Sequence, residues 1–233
     1  MQNKIKIVTI GGGSSYTPEL IEGLILRKDR LPIAELWLVD IADGTEKMEI
    51  VGNMAKPMNA AAGLDWQDHL PLDRKAALKD ANYVTTQFRV GLLDARLKDE
   101  VIPLANGLLG QETNGAGGLF KAFRTIPVIL EIIDDMRVLC PNAWLVDFTN
   151  PAGMVTEAAI KYGQWEKTVG LCNVPFSHIT QACELLQTPE AELNFKFAGL
   201  NHFHWHRVWD NKGNERTAEL IDKIYAPEQR DRS

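Results

Sequence analysis

Three of the five histidines of the chain lie at alternate positions in one short stretch, where they could serve a metal ion. They are His202, His204 and His206, within "GLNHFHWHRVW". On a strand, all three side chains would share one face, with successive ones about 6.5–7 Å apart at a rise of ~3.3 Å per residue. An ion held at ~2.1 Å from each ligand would strain to touch even two of them. We therefore expect at most one of these histidines to coordinate, with partners from elsewhere in the chain.

Cys172 is the best candidate for such a partner. It lies at the carboxyl end of a predicted strand, the edge at which open α/β sheets bind ligands. A pair formed with His202 would leave several positions on the ion open for substrate, and ligand softness alone favours zinc. The three cysteines form neither a disulfide framework nor a paired-cysteine zinc motif. Cys140 and Cys183 are expected to pack as small hydrophobic side chains.

A glycine-rich turn, "IGGGSSYTPEL", follows the first β-branched run and precedes a helical pattern. Here a dinucleotide's pyrophosphate could meet backbone N–H groups and a helix N-terminus. The candidate cofactor-binding residues of the turn are Gly11, Gly13, Ser14 and Ser15. Tyr16 stands where the third glycine belongs, so an ordinary glycine turn remains an alternative. Asp40, at the end of the next strand, could accept from a ribose hydroxyl and favours NAD over a 2′-phosphorylated cofactor.

Further polar residues follow in what reads as a long connection and at a later strand end. Arg96 could hold an anion by a forked contact, and Glu112 lies in the glycine-rich stretch "GQETNGAGG". Long loops are often functional, although surface decoration is the ordinary alternative. Asn150 follows the strand "AWLVDF", where it could cap the next helix or point its amide into the crevice.

Composition narrows the class of protein. The 233 residues are 45% hydrophobic and 24% charged, as in an ordinary globular chain. A net charge of −6 gives no electrostatic reason to expect nucleic acid or an anionic membrane as partner. The start lacks a signal peptide, and no apolar stretch approaches the ~20 residues of a membrane span, so we expect a cytoplasmic protein.

Alternating strand and helix patterns predict an α/β fold, a Rossmann-like doubly wound parallel sheet. The predicted strands are Lys4–Ile10, Glu35–Ile41, Ala81–Gly91, Ala143–Phe148 and Thr168–Val174. After about Glu190 period-two alternation and a turn at 210–213 predict antiparallel strands, the start of a second, α+β region. We assign residues 1–195 to an NAD-binding domain and residues 196–233 to an incomplete substrate and metal domain.

Taken together, these stretches closely resemble glycoside hydrolase family 4, the NAD- and metal-dependent glycosidases. The matching pieces are "GGGSSYTPEL", "LWLVD", "QFRVG", "ARLKDEVIPL", "GQETNGAGG", "RTIPV", "FTNPAG", "GLCNVP" and "GLNHFHW". The family is related to lactate and malate dehydrogenases. The resemblance implies Cys172 and His202 as ligands of a metal that is usually Mn²⁺, in place of zinc. It also implies substrate binding by Arg96 and Asn150.

The resemblance further implies a route other than the usual two-carboxylate hydrolysis. NAD⁺ takes hydride from C3 of the sugar, a tyrosine removes the C2 proton, the aglycone leaves from C1, water adds, and hydride returns. Glu112 matches an acidic position that raises the basicity of the tyrosine. Family members run to about twice this length, and the tyrosine lies beyond residue 233. Tyr225 does not match the motif, so we expect a truncated chain.

Asn173, directly after the cysteine, resembles the 6-phospho-β-glucosidase branch of the family, whereas α-specific members tend to have aspartate there. The implied substrates are 6-phosphorylated disaccharides of the cellobiose type or aryl glucosides, and the implied assembly is a homodimer or homotetramer. The alternatives are a 6-phospho-α-glucosidase or another glycosidase of the same family, an NAD-dependent 2-hydroxyacid dehydrogenase, and an inactive NAD-binding fragment.

Overall fold

The computed structural model describes residues 4–226. The chain divides into two compact units, Met1–Leu171 and Cys172–Ser233. The division falls before the boundary expected after residue 195, because the helix that follows Cys172 shares a hydrophobic core with the antiparallel strands. The roles assigned to the two domains stay predictions.

The first unit contains a six-stranded sheet, parallel throughout, in the order β3-β2-β1-β4-β5-β6. Its strands are β1 (Ile5–Ile10), β2 (Ile33–Val39), β3 (Gln67–His69), β4 (Tyr83–Thr86), β5 (Trp144–Asp147) and β6 (Thr168–Gly170). This strand order is that of a Rossmann fold, so the predicted fold class is confirmed. The short polar strand β3 lacks the β-branched run that revealed the others.

Helices cover both faces of this sheet. They are α1 (Thr17–Ile25), α2 (Thr45–Ala61), α3 (Arg74–Leu78), α4 (Leu92–Ala105), α5 (Gly115–Leu139) and α6 (Ala152–Lys161). Successive residues of a strand point to opposite faces. Accordingly, Ile7 packs in a cluster with Ile21 of α1, whereas Val8 packs in another with Ile129 of α5. Strands buried on both faces explain the nearly continuous apolar runs in the sequence.

The second unit joins two helices to a β-hairpin. Its elements are α7 (Val174–Leu186), β7 (Leu193–Leu200), β8 (Phe203–Asp210) and α8 (Thr217–Ile224). The strands pair antiparallel, with Leu200 opposite Phe203. The buried residues of its core are Ala182, Leu186, Leu193, Val208 and Leu220. The antiparallel region expected from period-two alternation is therefore present.

The turn that joins the hairpin differs from the predicted one. It consists of Asn201 and His202, and His202 has a left-handed φ of 61°. Histidine is among the non-glycine residues that are enriched in this left-handed region. The predicted turn at 210–213 instead follows β8, where Asp210 Oδ1 accepts from Lys212 N and Asn214 N at 2.9 Å each.

Candidate functional site

The glycine turn lies at the point where the order of the sheet reverses. β1 is flanked by β2 on one side and β4 on the other, and in open α/β sheets ligands bind outside the carboxyl ends at such a switch point. Gly11 has a φ of 89°, and a Cβ there would lie 2.8 Å from the backbone nitrogen of Phe88. Gly11 is thus required by the turn itself. The fold therefore places the predicted loop where a dinucleotide would bind.

Asp40 holds this loop from the end of β2. Its Oδ2 accepts a hydrogen bond from Gly13 N at 2.8 Å, and its Oδ1 accepts from Ile41 N at 2.9 Å. An ionised carboxylate has about four lone-pair sites, so capacity remains for a ribose hydroxyl. Ser14 Oγ accepts from Tyr16 N at 3.3 Å, while Ser15 is exposed. Asp40 is therefore part of the scaffold of the loop, a role that the sequence patterns did not predict.

Arg96 and Glu112 come together, but in elements other than those expected. The stretch "ARLKDEVIPL" belongs to helix α4, and "GAGG" forms the first turn of α5, so the predicted long loop is mostly helical. Arg96 Nε donates to Glu100 Oε1 at 2.7 Å, and Arg96 Nη1 lies 3.5 Å from Glu112 Oε2. Arg96 is therefore held by carboxylates of its own unit.

Glu112 lies among three cations. Besides Arg96, its Oε1 is paired with Lys121 Nζ, and Arg89 Nη1 lies 2.6 Å away in an orientation outside hydrogen-bond geometry. Burial by itself would raise the pKa of Glu112, but the hydrogen bond and charge of Lys121, together with the positive charge of Arg89, hold that pKa below its usual value. The carboxylate is consequently ionised at neutral pH. The sequence patterns did not predict Arg89 and Lys121, although Arg89 lies in "QFRVG".

Asn150 stands in the connection from β5 to α6, half-buried. The N-cap residue of α6 is Pro151, so the predicted cap is wrong by one position. Asn150 Oδ1 accepts a long hydrogen bond of 3.4 Å from Ala152 N. Its side-chain NH₂ has no hydrogen bond within the described residues of the connection, which leaves the amide suited to a ligand.

Cys172 and His202 approach each other within the second unit. Cys172 Sγ lies 3.3 Å from His202 Nε2. Ligands at ~2.3 Å (sulfur) and ~2.0–2.1 Å (nitrogen) from a tetrahedral ion lie about 3.5 Å apart. The two atoms are thus spaced almost as one ion requires. The histidine pattern had suggested that His202 would lie on a strand face. Instead, His202 reaches Cys172 from the hairpin turn.

His204 and His206 join a third histidine that the sequence patterns did not predict. Ring nitrogens of His178, His204 and His206 all lie within 4.8 Å of one another. The side chains of His204 and His206 converge although their backbone positions do not, so they lie closer together than the spacing along the strand indicated. The expectation that at most one of the three alternating histidines coordinates stays a prediction. Burial, then the adjacent imidazoles, lower the pKa values of His178 and His206, so both are neutral, as metal ligands must be.

An open pocket of about 400 Å³ adjoins these groups. Its lining residues are Val174, His178, His202, Phe203, His204 and Trp205. The described part of the second unit thus offers three imidazoles that line one cavity, with the thiol of Cys172 3.3 Å from one of them. Such a donor set fits a divalent transition metal.

Comparison with known proteins identifies the family. The family model described as "Family 4 glycosyl hydrolase" matches residues 6–188. The chain belongs to family 4 of the glycosyl hydrolases. The resemblance inferred from the sequence motifs is thereby confirmed.

Two curated relatives of this family 4 chain have the same named activity. A probable 6-phospho-beta-glucosidase of Bacillus subtilis is 62% identical over 202 residues, which cover 87% of this chain and 46% of that protein. A 6-phospho-beta-glucosidase of Escherichia coli is 50% identical over 225 residues, which cover 96% of this chain and 50% of that protein. The chain spans about half the length of the curated relatives it matches.

A solved structure shares the fold of the family 4 chain. It is the 6-phospho-beta glucosidase from Thermotoga maritima, with manganese, NAD⁺ and glucose-6-phosphate. The TM-score is 0.86 at 37% identity, and the match covers 96% of this chain and 53% of that one. Both units of the described chain therefore have counterparts in a protein that binds the cofactor and the metal predicted here.

Two more distant proteins also match the chain. A phospho-alpha-glucosidase of Clostridium acetobutylicum is 34% identical over 224 residues, covering 95% of this chain and 50% of that protein. A lactate dehydrogenase from Eimeria maxima matches with a TM-score of 0.63 at 12% identity, covering 100% of this chain and 65% of that one, and shows the fold alone.

Among residues 4–226, no helix has the length and apolar character needed to span a membrane.

Proposed function

We propose that this chain carries the NAD-binding and metal-binding parts of an NAD- and Mn²⁺-dependent 6-phospho-β-glucosidase. The likeness to the Thermotoga maritima structure with manganese, NAD⁺ and glucose-6-phosphate carries the proposal. The higher identity to 6-phospho-beta-glucosidases, 62% and 50%, than to the phospho-alpha-glucosidase, 34%, supports β specificity. Asn173, the residue after Cys172, agrees with the β branch. We further propose a cytoplasmic homodimer or homotetramer.

The first unit holds the nucleotide in this proposal. The backbone of Gly11 to Ser15 and the N-terminus of α1 receive the pyrophosphate, because N–H groups and partial positive charge meet there. Asp40 fixes the loop through Gly13 and accepts from the ribose. When bound, NAD⁺ accepts hydride from C3 of the sugar and later returns it, and a Mn²⁺ ion polarises the C2 and C3 oxygens.

The remaining residues bind metal and substrate. Cys172, as thiolate, and neutral His202 hold the ion, since only deprotonated groups ligate. Arg96 has Nε and Nη1 engaged with carboxylates, so its other donors are left for substrate oxygens. Asn150 offers its amide to the sugar. Glu112, kept ionised by the adjacent cations, is the group that raises the basicity of a tyrosine supplied from beyond residue 233.

A chimaera tests the proposal in a full-length context. In it, residues 1–233 replace the matching half of the Escherichia coli 6-phospho-beta-glucosidase. We expect it to release p-nitrophenol from the 6-phospho-β-glucoside only with both NAD⁺ and Mn²⁺ present. The α-linked isomer should react at least 10-fold more slowly. Preference for the α isomer would overturn the assignment to the β branch, and activity without NAD⁺ would overturn the proposed chemistry.

A further inference from the structure

Two elements of the second unit bring three imidazoles together. On α7, His178 is four residues before Ala182 and eight before Leu186, so all three share one helix face. Ala182 and Leu186 pack in the core with Val208 of β8. His204 and His206 alternate with outward residues and share the face of Val208. The packing of α7 on β8 therefore directs His178 towards the two strand histidines.

The separations of the three ring nitrogens are close to those around one metal ion. His178 Nδ1 lies 3.3 Å from His204 Nε2, and a ring nitrogen of His206 lies within 4.8 Å of both. Two nitrogens at ~2.0–2.1 Å from a tetrahedral ion are about 3.4 Å apart. The first pair already has this spacing. Binding of one ion would require the nitrogen of the half-buried His206 to approach the other two to about the same 3.4 Å.

We propose that His178, His204 and His206 form a second metal site, which binds Zn²⁺ in preference to Mn²⁺. Imidazole ligands suit zinc, nickel and copper, whereas Mn²⁺ stands lowest in the affinity order and prefers oxygen ligands. Three histidines leave the fourth tetrahedral position open for water or a small anion. His178 and His204 line the pocket, so this position is accessible from it.

The proposed site shares no ligand with the pair of Cys172 and His202. Gly199 supports the position of His204, because the two residues pair across the hairpin. A Cβ at Gly199 would lie 3.1 Å from His204 Cβ. The absence of a side chain at Gly199 therefore leaves room for His204 on the paired strand. The second site can therefore be tested with the first one removed.

Zinc binding by the double variant Cys172→Ser/His202→Ala tests the proposal. After chelator treatment of the 233-residue chain, equilibrium dialysis should find one Zn²⁺ per chain, with Mn²⁺ bound at least 100-fold more weakly. Adding His178→Gln or His204→Gln should weaken Zn²⁺ binding at least 10-fold. The matched control is His69→Gln, because His69 lies on β3 in the first unit. Zinc binding that is unchanged by His178→Gln and His204→Gln, in variants with unaltered circular dichroism, would overturn the proposal.

X-ray absorption can be measured on the same double variant, in which the three histidines are intact. The result therefore does not depend on whether further variants fold. The zinc edge should show three imidazole nitrogens at ~2.0–2.1 Å and no sulfur. A shell of oxygen ligands with one imidazole or none would refute the three-histidine site. Either result is independent of whether the chimaera hydrolyses phosphoglucosides.

Discussion

At the residue scale, Asp40 decides how the nucleotide loop is held. We expect Asp40→Asn to weaken NAD⁺ binding roughly 10–100-fold, because one charge-assisted hydrogen bond contributes about 1.5–3 kcal/mol. The loss should be smaller for NADP⁺, whose 2′-phosphate is repelled by the carboxylate. Titration calorimetry of the chain with both nucleotides measures this change. Asp43→Asn, at an exposed position in the neighbouring turn, is the matched control. Equal losses for both nucleotides would show that Asp40 acts on the loop alone.

Cys172 and His202 carry the second residue-scale prediction. Cys172→Ser or His202→Ala should weaken Mn²⁺ binding at least 10-fold, because each removes one of two protein ligands. Paramagnetic resonance of free Mn²⁺ reports the binding. Cys183→Ser, on the same unit, should leave it unchanged, and His204→Ala should reduce it less than His202→Ala. An equal loss of Mn²⁺ affinity in His202→Ala and His204→Ala would contradict the assignment of the Mn²⁺ ligand to the hairpin turn.

At the element scale, the end of β5 contains a buried carboxyl whose protonation affects stability. Asp147 is 0% exposed and accepts from Thr86 Oγ1 at 2.8 Å and from Thr149 N at 3.0 Å. Burial raises its pKa to about 6, despite these hydrogen bonds and that of Thr156. The unfolded chain releases this proton near pH 4, so the stabilisation is complete below pH 4 and is lost as the pH rises through about 6.

Asp147→Asn tests this linkage. The amide keeps Oδ1 as acceptor and is not ionised, so the variant should be more stable than the parent chain at pH 7.5, by on the order of 2–3 kcal/mol. The advantage should shrink at pH 5. Urea unfolding at both values measures the difference, with Asp134→Asn on the exposed side of α5 as control. An advantage that does not change with pH would refute the raised pKa.

The sequence predicts a helix or strand correctly where the pattern of residues within that element is enough to specify it. β1 is a β-branched run and β2 a largely apolar one, and their order around the glycine turn is enough to indicate the Rossmann fold. Helix α4 was not predicted, because its leucines are exposed and its buried residues include Asp99 and Pro103, so no apolar face at helical spacing marks it in the sequence. The hairpin turn and the approach of His178 to His204 depend on packing between elements, which alternation along one strand does not contain.

At the scale of the whole molecule, apolar side chains of the hairpin face outward. Leu200 is 72% exposed, Phe203 61% and Trp205 67%. An exposed patch of this kind promotes association. We expect the 233-residue chain to self-associate and Leu200→Lys/Trp205→Lys to reduce association in sedimentation velocity. Val138→Lys, at a position 81% exposed in the first unit, should not. Unchanged association in the double variant would place the contact elsewhere.

The 233-residue chain by itself should bind the nucleotide but should not hydrolyse the substrate. The glycine loop, Asp40 and the parallel sheet lie within the first unit, so NAD⁺ should bind, although weakly. Hydrolysis should be absent, because removal of the C2 proton needs a positioned base, which typically contributes ~10²–10⁴-fold. Metal-dependent hydrolysis by the purified chain would place the base within these residues, with Tyr225, exposed after α8, the first candidate.

Proton exchange at C2 of the sugar tests the central claim most directly. The chimaera is allowed to hydrolyse p-nitrophenyl 6-phospho-β-glucoside in deuterated water with NAD⁺ and Mn²⁺, and the glucose-6-phosphate is analysed by nuclear magnetic resonance. Oxidation at C3 makes the C2 proton acidic, so the account predicts deuterium at C2 of the product. Hydrolysis with hydrogen retained at C2 would contradict it.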